Sequence, residues 1–386
     1  MIASAPVLYA GVASLLIVLL ITIELIRGVR KMKFLEDVPP LISSNPPLVS
    51  VIIPARNEKR HIESALLSVL GQKYPKLEVV VIDDRSSDGT GEILDRMASL
   101  NPLLRVFHLQ ELPYGWLGKN YALSHGASKA RGELFLFTDA DVIMEPTTIN
   151  RAVHYMAEEQ LDHLTLSPAL IMPNLVLRIF VTGFYFFFSL YARPWKARDP
   201  KSKAHIGIGA FNLIRKEAYQ AIGTHQTIAM RPDDDMKLGK IVKKRGCSQD
   251  ILFGNSFLAV EWYASVRELI QGMMKNSFAG VEYRISMVVA ATIGQLLIFI
   301  WPFIALFLTE GLARWIYFTI VLILLLILGY GALLCRANPW LAFGLPLASG
   351  LLLYIFWKSM IQTLRYRGIY WRDTYYPLQL LKANKV

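Results

Sequence analysis

The sequence predicts an α/β domain on an open, largely parallel sheet, joined to apolar helices long enough to cross a membrane. Three observations lead there. Apolar, strand-like runs alternate with helix-period segments between residues 48 and 141, and the runs end in carboxylates. Apolar stretches of bilayer length lie outside that region, at residues 7–26, 285–308, 315–335 and 339–357. The 386 residues are 54% hydrophobic with a formal net charge of +11, too apolar for an ordinary soluble domain and basic enough to favour anionic partners. Those partners are phosphates and anionic lipid headgroups, with no nucleic acid expected, because the chain has no zinc-finger spacing or base-reading helix. Cys247 and Cys335 are far apart and Cys335 lies in an apolar span, so no disulfide framework is expected.

Residues 7–26 carry one acidic residue, Glu24, and are followed by Arg27, Arg30, Lys31 and Lys33. A secretory leader has the opposite charge order and a small-residue cleavage site, so this reads as an anchor whose downstream side is cytoplasmic. Pro39-Pro40 and Pro46-Pro47 stiffen the link to the next unit. There a strand over residues 48–54 turns through Ala55-Arg56-Asn57-Glu58 into a helix over 60–71. A strand over 78–82 closes on Asp83-Asp84, a helix runs to about residue 99, and a third strand spans 104–108. A helix over 121–131 then feeds the strand that ends in Thr138-Asp139-Ala140-Asp141. Ligands of such sheets sit beyond the carboxyl ends of the strands, so Glu58, Asp84, Asp139 and Asp141 are expected to share one crevice. Two carboxylates one residue apart suit a hard divalent cation that completes its shell from phosphates.

The motifs Pro54-Ala55-Arg56-Asn57-Glu58, Val81-Ile82-Asp83-Asp84-Arg85-Ser86-Ser87-Asp88-Gly89-Thr90, Gly115-Trp116-Leu117-Gly118-Lys119 and Phe137-Thr138-Asp139-Ala140-Asp141 occur in the order seen in family 2 glycosyltransferases. The match continues through Gly209-Ala210-Phe211-Asn212, Gly223-Thr224-His225 and Asp233-Asp234-Asp235-Met236-Lys237-Leu238-Gly239, covering residues 48–284. The chain resembles the membrane-anchored branch that glycosylates lipids, including ceramide, carotenoid-acid and hopanoid-associated enzymes. The resemblance implies a GT-A fold, a nucleotide-sugar donor (a UDP-sugar above all), Mg²⁺ or Mn²⁺, and inverting transfer of one sugar to a membrane lipid.

Residue by residue, the resemblance implies Asp141 as metal ligand, with Asp139 at the ribose or the metal's waters. It puts Asp84 against the nucleobase, Pro54, Ala55 and Glu58 on the ribose side, and Lys119 beside the nucleotide. Asp235, with Asp234, occupies the catalytic-base position. Asp233 or Asp234 is also suited to cap the helix expected over 236–245. His225 and Gly209 fall on the acceptor side, with Gly207 and Gly209 small enough for close backbone approach, to the sugar in this reading. The Gln-x-x-Arg-Trp signature of processive members is absent. Gln271-Gly272-Met273-Met274-Lys275-Asn276 stands in its place, with Lys275 suited to the donor diphosphate or to lipid headgroups.

Residues 175–192 are aromatic and flanked by Arg178, Arg193, Lys196 and Arg198. A crossing there would part Asp139 and Asp141 from Asp235, so an interfacial helix is expected. The layout is an anchor over 1–33, a cytoplasmic catalytic domain over 34–284, spans over 285–358 and a basic interfacial tail over 359–386, all in the cell membrane. One span before the domain and three after it place the tail outside, yet its basic residues favour the inside. A re-entrant hairpin at 339–357, interrupted by Gly344, Pro346 and Gly350, is one resolution. Two rival functions remain at this point: a processive polysaccharide synthase and a non-catalytic nucleotide-sugar-binding scaffold.

Overall fold

The computed structural model describes residues 5–386, which divide into two compact units. The catalytic-type unit comprises Met32–Ile171, Pro194–Glu261 and Gln379–Val386. Its sheet of eight strands runs Lys33–Phe34, Gln249–Phe253, His163–Ser167, Asn212–Arg215, Leu134–Phe137, Val49–Ala55, Leu77–Asp84, Leu104–Leu109. All neighbours pair in parallel except Asn212–Arg215, which is antiparallel to both of its neighbours. The strand Leu77–Asp84 is buried at every position, as expected of a sheet covered on both faces. Val51, Val79, Val81, Leu136 and Leu213 are buried together in its larger core cluster.

The elements nearest the carboxylates differ from the sequence expectation in one instructive way. The second strand extends to Asp84, so Asp83 and Asp84 are strand residues, not turn residues. The helix expected over 121–131 is Gly118–Lys129, which puts Lys119 in its first turn. The helix expected over 236–245 is Asp234–Lys244, which puts Asp234 and Asp235 in its first turn, where the helix dipole favours acidic groups. Each boundary shift moves a charged side chain onto a rigid element.

The other unit comprises the described part of Met1–Lys31 together with Met172–Arg193 and Trp262–Leu378. Its helices are Ala5–Val29, Leu175–Ala192, Val266–Gly280, Gly311–Leu334 and Leu345–Arg365, with Ile285–Leu308 continuous through a π-turn at Leu296–Ile300. The domain break expected at 284 therefore falls at 261, because the Val266–Gly280 helix packs with the apolar helices: Ser359 Oγ donates to Met274 O. The aromatic helix matches its expected bounds and is capped by Asn174, whose side chain accepts from Leu177 N at 3.0 Å. The hairpin reading of 339–357 does not hold. A short 3-10 turn at Pro339–Gly344 leads into an unbroken helix, Leu345–Arg365, because Pro346 sits in its first turn, where no N–H partner is lost. The basic tail is not one element either. A hairpin, Gly368–Trp371 with Thr374–Pro377, stays with the helical unit, while Gln379–Val386 folds into the catalytic-type unit.

Candidate active site

Asp139 and Asp141 occupy the turn between strands Leu134–Phe137 and Val142–Met144. Thr138 fixes the turn by donating Oγ1 to Ala210 O at 2.8 Å. This ties the strand end to the 206–211 loop. Gly209 is the point of closest approach. Its N–H donates to Asp235 Oδ2 at 2.9 Å, while a Cβ on it would fall 2.6 Å from Asp139 Oδ2. A Cβ on Gly207 would fall 1.8 Å from Asp235 O. The two glycines do permit close approach, but to Asp139 and the Asp234–Lys244 helix of the same chain. Their absent side chains let that helix start sit against the strand end.

Lys119 closes the cluster. Its Nζ lies 2.7 Å from Asp139 Oδ1 and 3.5 Å from Asp234 Oδ2. Burial alone pulls the Lys119 pKa down, but Asp139, Asp234 and Asp235 outweigh it and hold the ammonium charged. Lys119, Asp139, Gly209, His225, Asp234 and Asp235 line one hollow, with Phe137, Thr138 and Asn212.

The three consecutive aspartates sort by partner. Asp233 forms a bidentate pair with buried Arg231 (Nε to Oδ1 2.9 Å) and sits 3.4 Å from Lys237 Nζ. It stands at the cap position without a side-chain capping bond, since Arg231 already holds its carboxylate. Asp234 faces Lys119. Asp235 accepts two backbone N–H groups, from Gly209 and from Met236 at 2.7 Å. Burial and the Asp234 carboxylate push Asp235 up to about 7, against the pull of Lys119. Burial, Asp139 and Glu58 likewise push Asp141 up to about 7. The Glu58 carboxylate thus acts electrostatically on Asp141.

Pro54 and Ala55 end their strand, with Ala55 opposite Asp83. Asp84 accepts from Arg85 Nε at 2.8 Å and lies 3.6 Å from Arg56. The adjacent Asp83 meets His108 Nδ1 at 2.8 Å. The expected nucleobase carboxylate is thus flanked by two guanidiniums. His225 is not a solvent-facing acceptor group. It is 1% exposed, lies 2.8 Å from Tyr219 Oη and meets the edge of Phe137. Burial, with Lys119 adding to it, pulls its pKa down to about 3, so it is neutral. Lys275 belongs to the other unit, where its Nζ sits 3.9 Å from the Trp371 ring centre as a cation–π pair.

Sequence reasoning missed the residues that hold the 225–233 loop. Leu117 N donates to Ala229 O at 2.8 Å, and Asn120 Nδ2 donates to Ile228 O and Arg231 O at 2.8 and 2.9 Å. From the C-terminus, Asn384 Oδ1 accepts from Met230 N and its Nδ2 donates to Thr227 O, both at 2.9 Å. These partners lie more than 100 residues apart in sequence, so no local spacing signals them.

Among the described residues no three His, Cys, Asp or Glu side chains are grouped to hold an ion by themselves. Asp139 and Asp141 still supply what a Mg²⁺-type ion takes from protein, one or two carboxylates, with the rest of its shell from waters and phosphates. They fit that kind of site and not an all-protein cage.

Residues 50–223 match the profile of glycosyl transferase family 2. The chain is 26% identical over 247 residues to a 4,4'-diaponeurosporenoate glycosyltransferase of Staphylococcus haemolyticus, a match spanning 61% of this chain and 62% of that one. It is 25% identical over 244 residues to the enzyme of the same name from Staphylococcus aureus, spanning 62% and 63%. The chain thus covers less than two thirds of these relatives' lengths. In structure it resembles a mannosyltransferase from Pyrobaculum calidifontis in complex with GDP-Man and Mn²⁺, with TM-score 0.55, 19% identity, and 92% and 99% of the two chains covered. Residues 50–223 thus match a glycosyl transferase family 2 domain, and the sheet order and the structural likeness agree on a GT-A fold.

Proposed function

We propose that this protein is an integral membrane glycosyltransferase that moves one sugar from a nucleotide-sugar, a UDP-sugar by preference, to a membrane lipid with inversion. The observation that carries the reading is the junction at Gly209, whose backbone bonds Asp235 and lies against Asp139. A donor-side carboxylate pair and a base are thereby held by one rigid backbone contact. The 4,4'-diaponeurosporenoate glycosyltransferases support the lipid acceptor by the carotenoid acid in their name.

In this reading Asp141 and Asp139 would hold Mg²⁺ or Mn²⁺, which would supply positive charge to the leaving diphosphate. Pro54, Ala55, Glu58 and Asp84 border the nucleoside at the strand ends. Lys119 holds Asp139 and Asp234 in place and adds positive charge beside the donor. Asp235 takes the proton of the acceptor hydroxyl as that oxygen attacks the anomeric carbon from the far face. A base poised near neutrality serves this, and such help contributes about 10²- to 10⁴-fold. Asp234 keeps Asp235 basic through its charge. Gly209 shapes the acceptor end, with His225 a buried, neutral ring in the lining of the same hollow. Lys275, Arg367 and Arg372 meet anionic headgroups, in a cell membrane with the catalytic unit in the cytoplasm.

The test uses purified full-length protein in nanodiscs with UDP-glucose, UDP-N-acetylglucosamine or GDP-mannose, each with and without Mg²⁺ or Mn²⁺ and a bacterial lipid extract. Metal-dependent, lipid-stimulated nucleotide release with one sugar added per lipid is expected. Donor binding without turnover in every condition would leave a binding scaffold. A growing polymer would leave a synthase.

A further inference from the structure

Among the described residues five helices are long and apolar enough to cross a bilayer: Ala5–Val29, Leu175–Lys196, Ile285–Leu308, Gly311–Leu334 and Pro339–Arg365. Length alone does not choose among them. The way the chain returns to one unit does. Met32–Ile171, Pro194–Glu261 and Gln379–Val386 fold together. Strand Asn212–Arg215 is paired between Leu134–Phe137 and His163–Ser167, and Asn384 is bonded to Thr227 and Met230. No bilayer passes through such a unit. Every excursion that leaves it and returns therefore crosses the membrane an even number of times.

The excursion Met172–Arg193 holds one candidate helix, so it crosses zero times. The excursion Trp262–Leu378 holds three, so at most two of them cross. Packing inside the helical unit identifies the two. Ala5–Val29 leads into the unit at Met32, so its start lies on the far side. The start of Gly311–Leu334 lies beside that start: Tyr317 Oη donates to Val7 O at 3.1 Å, and Gly11 lies against Ile316 and Tyr317. Ile285–Leu308 reaches this point through Thr309 and Glu310, so it crosses outward and Gly311–Leu334 crosses back.

That leaves Leu345–Arg365, and its contacts agree. Trp357 Nε1 donates to Thr292 Oγ1 at 2.9 Å. Thr292 is seven residues into the outward helix, about 10 Å from its near-side start. Ser359 bonds Met274 in the Val266–Gly280 helix, which precedes that crossing. The other half lies on the aromatic helix, with Ala348 against Gly183 and Gly344 against Ile179. The two helices so paired are the two least apolar of the five. Leu347, Tyr354, Trp357, Ile361 and Leu364 are exposed at helical spacing on one face of Leu345–Arg365, and Lys358 and Arg365 flank it.

We propose that the chain crosses the membrane three times, through Ala5–Val29, Ile285–Leu308 and Gly311–Leu334. Leu175–Ala192 and Leu345–Arg365 lie side by side in the membrane surface on the catalytic unit's side, with the Leu347–Tyr354–Trp357–Ile361 face against lipid. Arg336, Arg365, Arg367, Lys382 and Lys385 then share one side, while the far turn, Thr309-Glu310, has no basic residue. This removes the conflict between three spans and a basic tail.

The proposal rests on the chain being membrane-embedded but on no particular sugar or acceptor. Its test uses the full chain with Cys247→Ser and Cys335→Ser as background and single cysteines at exposed positions: Lys201→Cys, Glu310→Cys, Asn338→Cys and Lys382→Cys. An impermeant maleimide is applied to sealed vesicles of each orientation. Lys201, Asn338 and Lys382 positions are expected to label from one side and the Glu310 position from the other, by at least tenfold. Labelling of the Asn338 and Lys382 positions from opposite sides would overturn it, by making Leu345–Arg365 a crossing. Labelling of the Glu310 position together with Asn338 would overturn it by denying the Gly311–Leu334 crossing. Release of the protein by alkaline carbonate would overturn the membrane reading as well, which distinguishes the two failures.

Discussion

Lys119 Nζ lies 2.7 Å from Asp139 Oδ1, just past the end of strand Leu134–Phe137. The same ammonium reaches Asp234 at 3.5 Å. One lysine thus compensates carboxylates from two distant stretches of chain. Lys119→Met removes the charge and keeps the bulk, leaving Asp139 and Asp234 facing Asp235 without it. A loss of about 3 kcal/mol is expected, the low end for breaking a buried pair because the side chains keep some exposure. Turnover should fall on the order of 100-fold, with Lys119→Arg recovering part of both. Denaturant melts and nucleotide release measure them. An unchanged Met variant would show that the pair is incidental.

The sorting of the three aspartates predicts opposite phenotypes for neighbours. Asp235→Asn should keep the fold and donor binding while turnover falls about 10²- to 10⁴-fold. Asp233→Asn should remove the carboxylate charge from the bidentate pair with Arg231, which is 1% exposed, and cost about 3–5 kcal/mol of stability. Comparing melting temperature with turnover for the two variants separates the roles. Equal loss of stability in both would refute the sorting.

Gly209→Ala puts a methyl 2.6 Å from Asp139 Oδ2, so Asp139 must move. We expect KM for the donor to rise several-fold or more, with a melting temperature close to the parent's, since the displaced atom is a side-chain end. A variant with parental KM would mean that Asp139 tolerates the shift at no cost to the donor site.

Asn384→Ala deletes both bonds from the tail to the 225–231 loop. Two neutral hydrogen bonds at about 0.5–1.5 kcal/mol each set the expected loss of local stability. Hydrogen exchange of Met230 N–H and its neighbours should accelerate, while exchange in strand Val49–Ala55 stays as it is. Uniform acceleration across the unit would indicate global destabilisation and no local clamp.

His163 is fully buried, donates no bond from Nδ1, and meets Asn212 Oδ1 through Nε2 at 3.1 Å. Burial pulls its pKa down to about 4, with Asn212 opposing. Between that value and the ordinary 6.5 the unfolded chain binds a proton that the folded chain refuses. Stability is therefore complete above pH 6.5 and is lost as pH falls toward 4, at up to about 1.4 kcal/mol per pH unit from this group. His163→Gln should flatten that slope in melts between pH 4 and 6.5. A parental slope in the variant would assign the acid sensitivity elsewhere.

The strand-end positions of the candidate carboxylates are legible in the sequence. Glu58, Asp84, Asp139 and Asp141 each follow an apolar run, and a parallel sheet brings such ends together whatever the loops do. The acid triplet was legible only as a group. Which aspartate neutralises Arg231, which faces Lys119 and which keeps backbone donors alone depends on distances that no spacing encodes. His225 shows the same limit: its motif is local, but burial beside Tyr219 and Phe137, with Lys119 adding to it, keeps its imidazole neutral.

Alternation of apolar strands and helices, the carboxylates closing them, and apolar stretches of bilayer length are local properties, and the sequence by itself determined the α/β class, the helices long and apolar enough to cross a membrane and the strand-end positions of the candidate acidic residues. Long-range contact decided the rest. The close approach at Gly209 joins the Asp139 turn to Asp235, and the Asn384 bonds bring the tail back to the catalytic unit, 154 residues from Met230. Helix hydropathy is additive along the chain and can be read from composition. Topology depends on which segments fold into one unit, and that is a property of the folded chain alone.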